Sequence, residues 1–283
     1  MSDPIITRCP VGCNSSLEET DIVLPEGALR RCPACGQLVS ACTQERYDES
    51  MQDFNVEDGT MPKDRAIARQ RQRMGKILRN AAKGAGKSIE ACSLLDVGCS
   101  SGSLMLIARD MGFGEIKGVE PAEKAANTAK ELGFDVFTGF LDQAAYADNS
   151  FDIVTLFEVI EHLEEAQSIA REIHRVLRPG GLWVFTTANA VSWTAAALRE
   201  DWDYFSIAQN GGHISFFNPE SIRQLAKNTG FEPVRIETKR TLLFDHRKGR
   251  SPVKKLTGEL LSFPAKLAGQ GHDMQIMLRK PAA

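Results

Sequence analysis

Long apolar runs, a surplus of one charge sign and internal repeats are all missing from this 283-residue sequence. No apolar run approaches the roughly 20 residues that a membrane-spanning helix needs, so no transmembrane segment is expected. The amino terminus lacks the basic and then apolar stretches of a secretion signal, and a cytoplasmic protein is therefore expected. The formal net charge of −3 gives no electrostatic reason to expect nucleic acid as the main partner. With 42% hydrophobic and 25% charged residues, the composition excludes a disordered, collagen-like or coiled-coil protein.

What the sequence does have is an uneven set of seven cysteines. An odd number without a secretion signal argues against a disulfide framework, and clustering argues for a metal. Cys9 and Cys13 form a C-x3-C pair, and Cys32 and Cys35 form a C-x2-C pair, which together predict a four-thiolate zinc site. Four sulfur ligands leave no open coordination position, so this zinc would be structural; free buried thiols are the alternative. Cys42 stands nearby as a spare thiol or a substitute ligand.

Composition divides the chain into three parts. An acidic segment at 46–62 is poor in large apolar residues and is predicted to be a linker, whereas residues 63–83 predict a basic amphipathic helix. This helix presents either a solvated face or a surface for acidic lipid or nucleic acid. The parts are a zinc-ribbon-like domain at 1–45, the linker and basic helix at 46–88, and a domain at 89–283 with a lid at 190–217 and an insertion at 245–272. The insertion either packs on the sheet or rests on a lipid surface or an acidic substrate.

From residue 93 onward, apolar strands alternate with helices. The predicted strands are 93–97, 116–120, 135–138, 151–157 and 181–187, with helices at 104–111, 122–132 and 166–177 between them. This alternation predicts an α/β fold with a parallel sheet and helices on both faces, and continuously apolar strands fit burial on both sides. A helix at 219–229 and strands at 232–238 and 274–279 complete the pattern.

The turn after the first of these strands has the sequence L-L-D-V-G-C-S-S-G, which ends at Gly102. A glycine-rich turn between a strand and a helix lets backbone N–H groups approach a ligand closely. Neither the dinucleotide fingerprint G-x-G-x-x-G nor the phosphate-binding G-x-x-x-x-G-K-[ST] is present. Asp96, two residues before Gly98, suits a positively charged amine, and Glu120 at the end of the second strand suits ribose hydroxyls. The two acids predict a ligand in which a nucleoside is joined to an amino acid.

Four motifs, in this order, resemble those of class I S-adenosylmethionine-dependent methyltransferases. They are L-D-V-G-C-S-S-G, G-V-E-P, D-N-S-F-D-I-V-T-L-F-E-V-I-E-H-L and I-H-R-V-L-R-P-G-G-L-W-V-F-T-T-A-N. The resemblance implies S-adenosylmethionine as cofactor and a Rossmann-like sheet of strand order 3-2-1-4-5-7-6 with an antiparallel last hairpin. The implied cofactor-binding residues are Asp96, Gly98, Cys99, Gly102, Glu120, Pro121, Phe140, Leu141, Asp142 and Phe157.

Methyl transfer to a hydroxyl needs donor and acceptor to be aligned and the acceptor proton to be removed. His213 in the lid is our first candidate for the base or for an acceptor-orienting residue; a histidine that braces the lid is the alternative.

Glu158 and His162 are the second candidates. With Glu161 they form the segment E-V-I-E-H, which resembles that of the ubiquinone-pathway O-methyltransferases, where similar residues are associated with a divalent metal. Helix capping or cofactor packing is the alternative for His162. Four lid aromatics either wall an acceptor pocket or form the lid core: Trp193, Trp202, Tyr204 and Phe205.

The sequence thus predicts an enzyme that transfers a methyl group from S-adenosylmethionine to a small-molecule, sugar or lipid-linked acceptor, at oxygen. One alternative is a nucleic-acid methyltransferase guided by the zinc ribbon, although F-E-V-I replaces the N-P-P-Y type of tetrapeptide expected after the fourth strand. The other is a non-catalytic protein that keeps the fold, against which the intact glycine turn and its two acids argue. Peripheral contact with a membrane and the oligomeric state are left open.

Overall fold

The computed structural model describes residues 3–56, 64–208, 211–242 and 252–282. The strands are β1 Glu18–Leu24, β2 Gly27–Arg31, β3 Leu38–Val39, β4 Ser93–Val97, β5 Glu115–Glu120, β6 Asp135–Thr138, β7 Phe151–Phe157, β8 Leu177–Ala188, β9 Ser215–Phe216, β10 Glu232–Lys239 and β11 Asp273–Arg279. The helices are α1 Gln44–Val56, α2 Asp64–Gly84, α3 Ser103–Asp110, α4 Glu123–Glu131, α5 Ala166–Val176, α6 Trp193–Leu198, α7 Pro219–Thr229 and α8 Pro252–Leu267. In these ranges no helix is both long enough and apolar enough to cross a membrane.

Seven strands form the main sheet, in the order β10-β11-β8-β7-β4-β5-β6. The five strands from β4 to β8 pair in parallel where they are neighbours, and β11 is antiparallel to both β8 and β10. Counted along the chain from β4, with β9 left out because it belongs to another sheet, the strands have the order 3-2-1-4-5-7-6. The α/β fold class, the strand order and the antiparallel last hairpin are therefore confirmed.

Helices cover both faces of the main sheet because successive residues of its strands point to opposite sides. Leu94 packs into a cluster with α2 and α3, whereas the next residue, Leu95, packs into a cluster with α5 and α7. Both leucines are fully buried. The continuous apolar strands of the sequence thus reflect two cores, one on each face. This sandwich fixes the carboxyl ends of β4, β5, β7 and β8 along one edge, where the candidate site lies.

The small sheet joins the amino-terminal segment to the lid. Its order is β1-β2-β3-β9, and all its pairs are antiparallel. Its first three strands come from residues 18–39, but β9 lies in the predicted lid, where Leu38 pairs with Phe216 and Val39 with Ser215. The cysteine-rich segment and the lid therefore share one hydrogen-bonded sheet. The domain boundaries drawn from composition remain a prediction, and the small sheet contains strands from both the first and the last of the predicted parts.

A helix lies where the sequence suggests a linker. Most of segment 46–62 belongs to α1, and residues 57–63 lie outside the described residues. Long-range hydrogen bonds hold α1 in place: the Tyr47 hydroxyl donates to the His162 carbonyl (2.9 Å), and the Ser50 hydroxyl donates to the Ile207 carbonyl (2.7 Å). The sequence of α1 is acidic and weakly apolar, so it does not predict a packed helix. A helix that is held by polar contacts shows no apolar periodicity.

Helix α8 occupies most of the predicted insertion 245–272, of which residues 245–251 lie outside the described residues. One side of α8 is buried, with Gly258 and Ala265 at its centre. The Ser262 hydroxyl accepts a hydrogen bond from the Thr241 N–H (2.9 Å). After α8 the chain returns to the main sheet, where the Asn189 amide donates to the Gly269 carbonyl (3.1 Å). The insertion thus packs beside the carboxyl end of β8.

Candidate functional site

The glycine-rich turn between β4 and α3 has the backbone conformation that its sequence requires. Gly98 (φ 71°) and Gly102 (φ 83°) lie in the left-handed region, where a side chain is disfavoured. A Cβ atom on Gly98 would also lie 2.5 Å from a Val159 methyl group. Gly102 is the N-cap of α3 and offers no side chain to its first turn. The N–H groups at the start of α3 are thereby left for a ligand.

Asp96 and Glu120 lie at the carboxyl ends of adjacent parallel strands, since Asp96 in β4 is in register with Gly118 in β5. Asp96 is buried and accepts a hydrogen bond from the Thr155 hydroxyl (2.7 Å). Burial raises the pKa of Asp96 to about 7. A positive charge nearby would lower this pKa and favour the ionised carboxylate.

Glu120 reaches back to the glycine-rich turn. Its two carboxylate oxygens accept hydrogen bonds from the N–H groups of Ser100 and Ala122, each at 2.8 Å. Burial raises its pKa, and these two hydrogen bonds oppose the rise. These two hydrogen bonds fix the Glu120 side chain. Each carboxylate oxygen can accept a second hydrogen bond, so Glu120 can still accept hydrogen bonds from ligand hydroxyls.

The remaining predicted cofactor residues surround the same edge of the sheet with different exposure. Leu141 and Cys99 are buried, Phe157 is half-buried, and Pro121 and Asp142 are exposed. Phe140 is 60% exposed, although aromatic rings are usually well covered in a folded chain. Its uncovered face is available to a planar ring of a ligand. Cys99 fills the space against Gly118, whose added Cβ would lie 2.7 Å from the Cys99 sulfur.

A second group of side chains, here called the acid–histidine cluster, consists of Glu161, His162 and His213. One ligand atom from each lies within 4.8 Å of the others. Glu161 and His162 follow β7, whereas His213 comes from the lid just before β9. The two imidazole rings are 4.7 Å apart, edge to face. The sequence separation of His213 from the other two conceals this grouping, although each histidine was a candidate by itself.

The protein supplies fixed partners for the cluster. The His213 Nδ1 lies 3.0 Å from the Tyr204 carbonyl oxygen. Since a carbonyl only accepts, Nδ1 carries the proton and the lone pair of Nε2 faces Glu161, whose Oε1 is 3.9 Å away. The Thr187 hydroxyl donates to the other oxygen of Glu161 (3.0 Å). Oε1 itself is buried and has no hydrogen-bond partner among the described residues.

Burial sets the charge of the cluster. It raises the pKa of Glu161 to about 8, with the neighbouring Glu158 carboxylate contributing in the same direction. It lowers the pKa of His162 to about 4 and that of His213 to about 3. Both imidazoles are therefore neutral at physiological pH, which is the form that binds a cation or accepts a proton.

Glu158 adjoins the cluster without belonging to it. Its backbone is in the left-handed region (φ 53°), an uncommon conformation for a side chain other than glycine. The Thr186 hydroxyl donates to its Oε1 (2.6 Å), and desolvation of the carboxyl group raises its pKa although the residue as a whole is exposed. Sequence reasoning missed Thr186 and Thr187, two hydroxyls at the end of β8 that orient the two glutamates. Their only signal in the sequence is that two consecutive threonines follow the apolar residues 182–185.

Tyr204 and Tyr47 support the cluster from the lid and from α1. The Tyr204 ring lies 4.3 Å from that of His213, and its hydroxyl is 3.0 Å from that of Thr187. Tyr204 thus contacts the cluster, and its ring also stacks on the buried Trp202 in the lid core. That the lid aromatics wall an acceptor pocket stays a prediction. Tyr47 was not a sequence candidate; it holds the backbone of His162 through the hydrogen bond that anchors α1.

The four predicted zinc ligands come together in the amino-terminal segment. The sulfur atoms of Cys9, Cys13, Cys32 and Cys35 all lie within 4.8 Å of one another, and those of Cys9 and Cys35 are 3.6 Å apart. A hydrogen bond from Cys35 is the main cause that lowers the pKa of Cys9 to about 5. Cys42 is outside this group and contacts the Thr43 carbonyl instead. The donor set fits a tetrahedral zinc.

Comparison with known proteins assigns the chain to a protein family. A family model described as a methyltransferase domain matches residues 61–236, more than half of the chain. A ubiquinone biosynthesis O-methyltransferase of Thiobacillus denitrificans is 30% identical over 160 residues, which cover 52% of this chain and 66% of that protein. One from Ralstonia nicotianae is 28% identical over 170 residues, covering 56% and 68%. The chain thus spans only about two thirds of the length of these curated relatives.

Solved structures agree on the fold. An S-adenosylmethionine-dependent methyltransferase from Archaeoglobus fulgidus has a TM-score of 0.54 at 19% identity, covering 74% of this chain and 94% of that one. A protein from Pyrococcus horikoshii has a TM-score of 0.55 at 15% identity, covering 81% and 98%. With the family model, the strand order and the glycine-rich turn in agreement, the chain belongs to the class I S-adenosylmethionine-dependent methyltransferases.

Proposed function

We propose that the protein transfers the methyl group of S-adenosylmethionine to an oxygen of a small-molecule acceptor. The observation that carries this proposal is the pair of acids, Asp96 and Glu120, on adjacent strand ends around a glycine-rich turn. The relatives named as ubiquinone biosynthesis O-methyltransferases favour oxygen as the accepting atom. A sugar-linked or lipid-linked acceptor and a cytoplasmic location remain predictions from the sequence.

The cofactor side of the site is built to hold a molecule with a cationic amine, a carboxylate and a ribose. Asp96 would face the ammonium group, the first turn of α3 the carboxylate, and Glu120 the ribose hydroxyls. The exposed ring of Phe140 would stack on the adenine, beside Leu141 and Asp142. S-adenosylmethionine supplies an activated sulfonium methyl group, so the protein's own task is alignment and exclusion of water.

Calorimetry with S-adenosylmethionine tests the cofactor side directly. Because the pKa of Asp96 is about 7 without ligand, the protonated form predominates below that pH and must lose its proton to face an ammonium group. We expect the affinity to fall by up to about tenfold per pH unit below pH 7 and to level off above it. The Asp96→Asn variant should bind more weakly and without this pH dependence. Absence of binding at millimolar cofactor would refute the proposed function.

Glu120 makes an independent test of the ribose contact. We expect Glu120→Gln to weaken binding of S-adenosylmethionine about 10- to 100-fold, since it replaces a charged acceptor of hydroxyl hydrogen bonds and disturbs the turn at Ser100. Glu131→Gln, an exposed change at the far end of α4, serves as the matched control and should bind normally. Binding of S-adenosylhomocysteine, measured in parallel, should fall by the same factor. Unchanged affinity of Glu120→Gln would place the ribose elsewhere.

The acid–histidine cluster would serve the acceptor. Its one carboxylate and two neutral imidazoles fit a divalent cation, and the partnerless Oε1 of Glu161 is the atom that such a cation would satisfy. A bound cation would favour the deprotonated form of an acceptor hydroxyl. His213 orients the acceptor or takes up its proton through Nε2, with Glu158 fixed beside it by Thr186.

We expect the protein to transfer a labelled methyl group from S-adenosylmethionine to an oxygen of a simple catechol. We expect EDTA to suppress this transfer.

A structural zinc held by Cys9, Cys13, Cys32 and Cys35 completes the proposal. The zinc would tie the two ends of the amino-terminal segment together, and that segment in turn holds the lid through β9. The zinc-ribbon-like domain would thus shape the acceptor side of the site rather than recruit nucleic acid.

A further inference from the structure

Strand β7 carries a hydroxyl group in the buried interior of the main sheet. The strand has the sequence F-D-I-V-T-L-F, and Thr155 within it is fully buried. In the parallel pairing of β4 with β7, Thr155 is in register with Asp96. Its hydroxyl oxygen lies 2.7 Å from Oδ1 of Asp96 and 3.3 Å from the Leu95 carbonyl oxygen. The hydroxyl thus has two acceptors within reach, and the carboxyl group is the nearer one.

The protonation state of Asp96 decides which acceptor the Thr155 hydroxyl uses, because a hydroxyl has a single proton to donate. When Asp96 is ionised, the hydroxyl donates to the carboxylate, and such a charge-assisted hydrogen bond is stronger than one between neutral groups. When Asp96 is protonated, the carboxyl group can donate to the threonine oxygen, whose own proton then turns to the Leu95 carbonyl. Thr155 has a partner in both states, but it stabilises the ionised state more.

The other groups around Asp96 do not favour its ionisation. Burial raises the pKa of Asp96, and the Glu120 carboxylate contributes in the same direction, whereas the hydrogen bond from Thr155 lowers this pKa. The Cys99 thiol in the glycine-rich turn brings no compensating charge, since burial raises its own pKa. Among the described residues, no lysine, arginine or histidine pairs with Asp96. A buried carboxylate without a protein cation is suited to a cationic ligand, and Thr155 is the group that favours its ionised form.

We propose that Thr155 is a positioning residue for cofactor binding: its hydroxyl orients the Asp96 carboxylate toward the ammonium group of S-adenosylmethionine and keeps it ionised at neutral pH. This inference rests on the proposed function, which supplies the cationic ligand. Thr155 acts through Asp96, and its hydrogen bond engages one of the two carboxylate oxygens. Thr155 would thereby set the lower limit of the pH range in which the cofactor binds tightly.

A titration of the ligand-free protein tests the link between Thr155 and Asp96. The carbon-13 NMR signal of the Asp96 carboxyl group, assigned by its loss in Asp96→Asn, gives the titration midpoint. Thr155→Val replaces the hydroxyl by a methyl group, and we expect the midpoint to rise by about 1 to 2 pH units. Thr155→Ser keeps the hydroxyl and should stay within about 0.5 pH unit of wild type. An unchanged midpoint in Thr155→Val would overturn the proposal.

A smaller variant separates the hydroxyl from the packing of Thr155. Thr155→Ala also lacks the hydroxyl but leaves a small cavity, so it should unfold at a lower temperature than Thr155→Val while its midpoint rises equally. A midpoint that rises in Thr155→Ala but not in Thr155→Val would assign the effect to packing and contradict the proposal. Thr229→Val is the matched control, because that buried hydroxyl donates to the Leu225 carbonyl within α7 (2.7 Å) and should leave the Asp96 midpoint unchanged.

Calorimetry with S-adenosylmethionine between about pH 6 and pH 9 tests the consequence for binding. At pH 7 we expect Thr155→Val to bind about 5- to 50-fold more weakly than wild type, because a smaller fraction of its Asp96 is ionised. At about pH 9 its affinity should return to within about threefold of wild type. A purely structural role of Thr155 would weaken binding by the same factor at every pH.

The double variant Asp96→Asn/Thr155→Val shows whether Thr155 acts through Asp96. Since asparagine has no charge to stabilise, adding Thr155→Val should change the affinity less than about twofold relative to Asp96→Asn alone. A larger change would contradict the proposal. Absence of S-adenosylmethionine binding by the wild-type chain would refute the proposed function, whereas binding with the same pH dependence in wild type and Thr155→Val would overturn the role of Thr155 alone.

Discussion

Replacing His213 with glutamine is expected to lower kcat for methylation of a catechol about 100-fold or more. The variant loses the Nε2 lone pair that faces Glu161, whereas Asp96 and Glu120 on the cofactor side are untouched. The affinity for S-adenosylmethionine should therefore stay within about twofold of wild type, so that the loss appears in kcat. Transfer of labelled methyl groups, followed at saturating cofactor, gives kcat, and calorimetry gives the affinity.

A control and a metal readout separate the possible roles of His213. His174→Gln changes a histidine that packs against Phe231, outside the cluster, and should keep wild-type kcat. Binding of Mn²⁺, followed by electron paramagnetic resonance, should weaken at least about tenfold in His213→Gln if the histidine is a cation ligand. A fall in kcat with unchanged Mn²⁺ binding assigns His213 to orientation or proton uptake alone. A kcat within about threefold of wild type would contradict both roles.

The main sheet was predictable from the sequence because each of its strands leaves a local signal. Residues 93–97 and 151–157 are mostly apolar without a polar–apolar alternation, and both strands are buried on two sides in the structure. The turn at Gly98 was equally readable, since two glycines with positive φ sit where a strand meets a helix. The order of the strands came from the resemblance to a family, because local patterns do not specify which strands are neighbours.

The acceptor side was predictable only in part, because it depends on contacts between distant residues. His162 and His213 were each candidates, but their approach to 4.7 Å needs the lid to fold back over β7. The two residues of β9 are too few to show any periodicity, and their partners in β3 are far away in the chain. Burial of Glu161 is likewise invisible in a sequence that places it beside a histidine in a polar segment.

A large loss of stability is also expected when a cysteine of the predicted zinc site is replaced. Replacing Cys35 with serine is expected to abolish zinc in protein purified without added metal, whereas wild type should contain about one zinc per chain. The melting temperature should fall by about 10 °C or more, since a structural zinc supplies folding free energy to the segment that holds it. The consequence should reach the lid: the Cys35 carbonyl accepts a hydrogen bond from Asn218 (3.2 Å), whose side chain caps α7 directly after β9.

Cys42→Ser is the matched control, because Cys42 lies in the same segment, is buried, and donates to the Thr43 carbonyl, which a serine hydroxyl can also do. Its zinc content should equal that of wild type. If Cys35→Ser also loses catechol methylation while still binding S-adenosylmethionine, the zinc segment supports the acceptor side through β3 and β9 and leaves the glycine-rich turn intact. Retention of one zinc per chain and of the wild-type melting temperature in Cys35→Ser would instead show that the four thiols do not form a metal site.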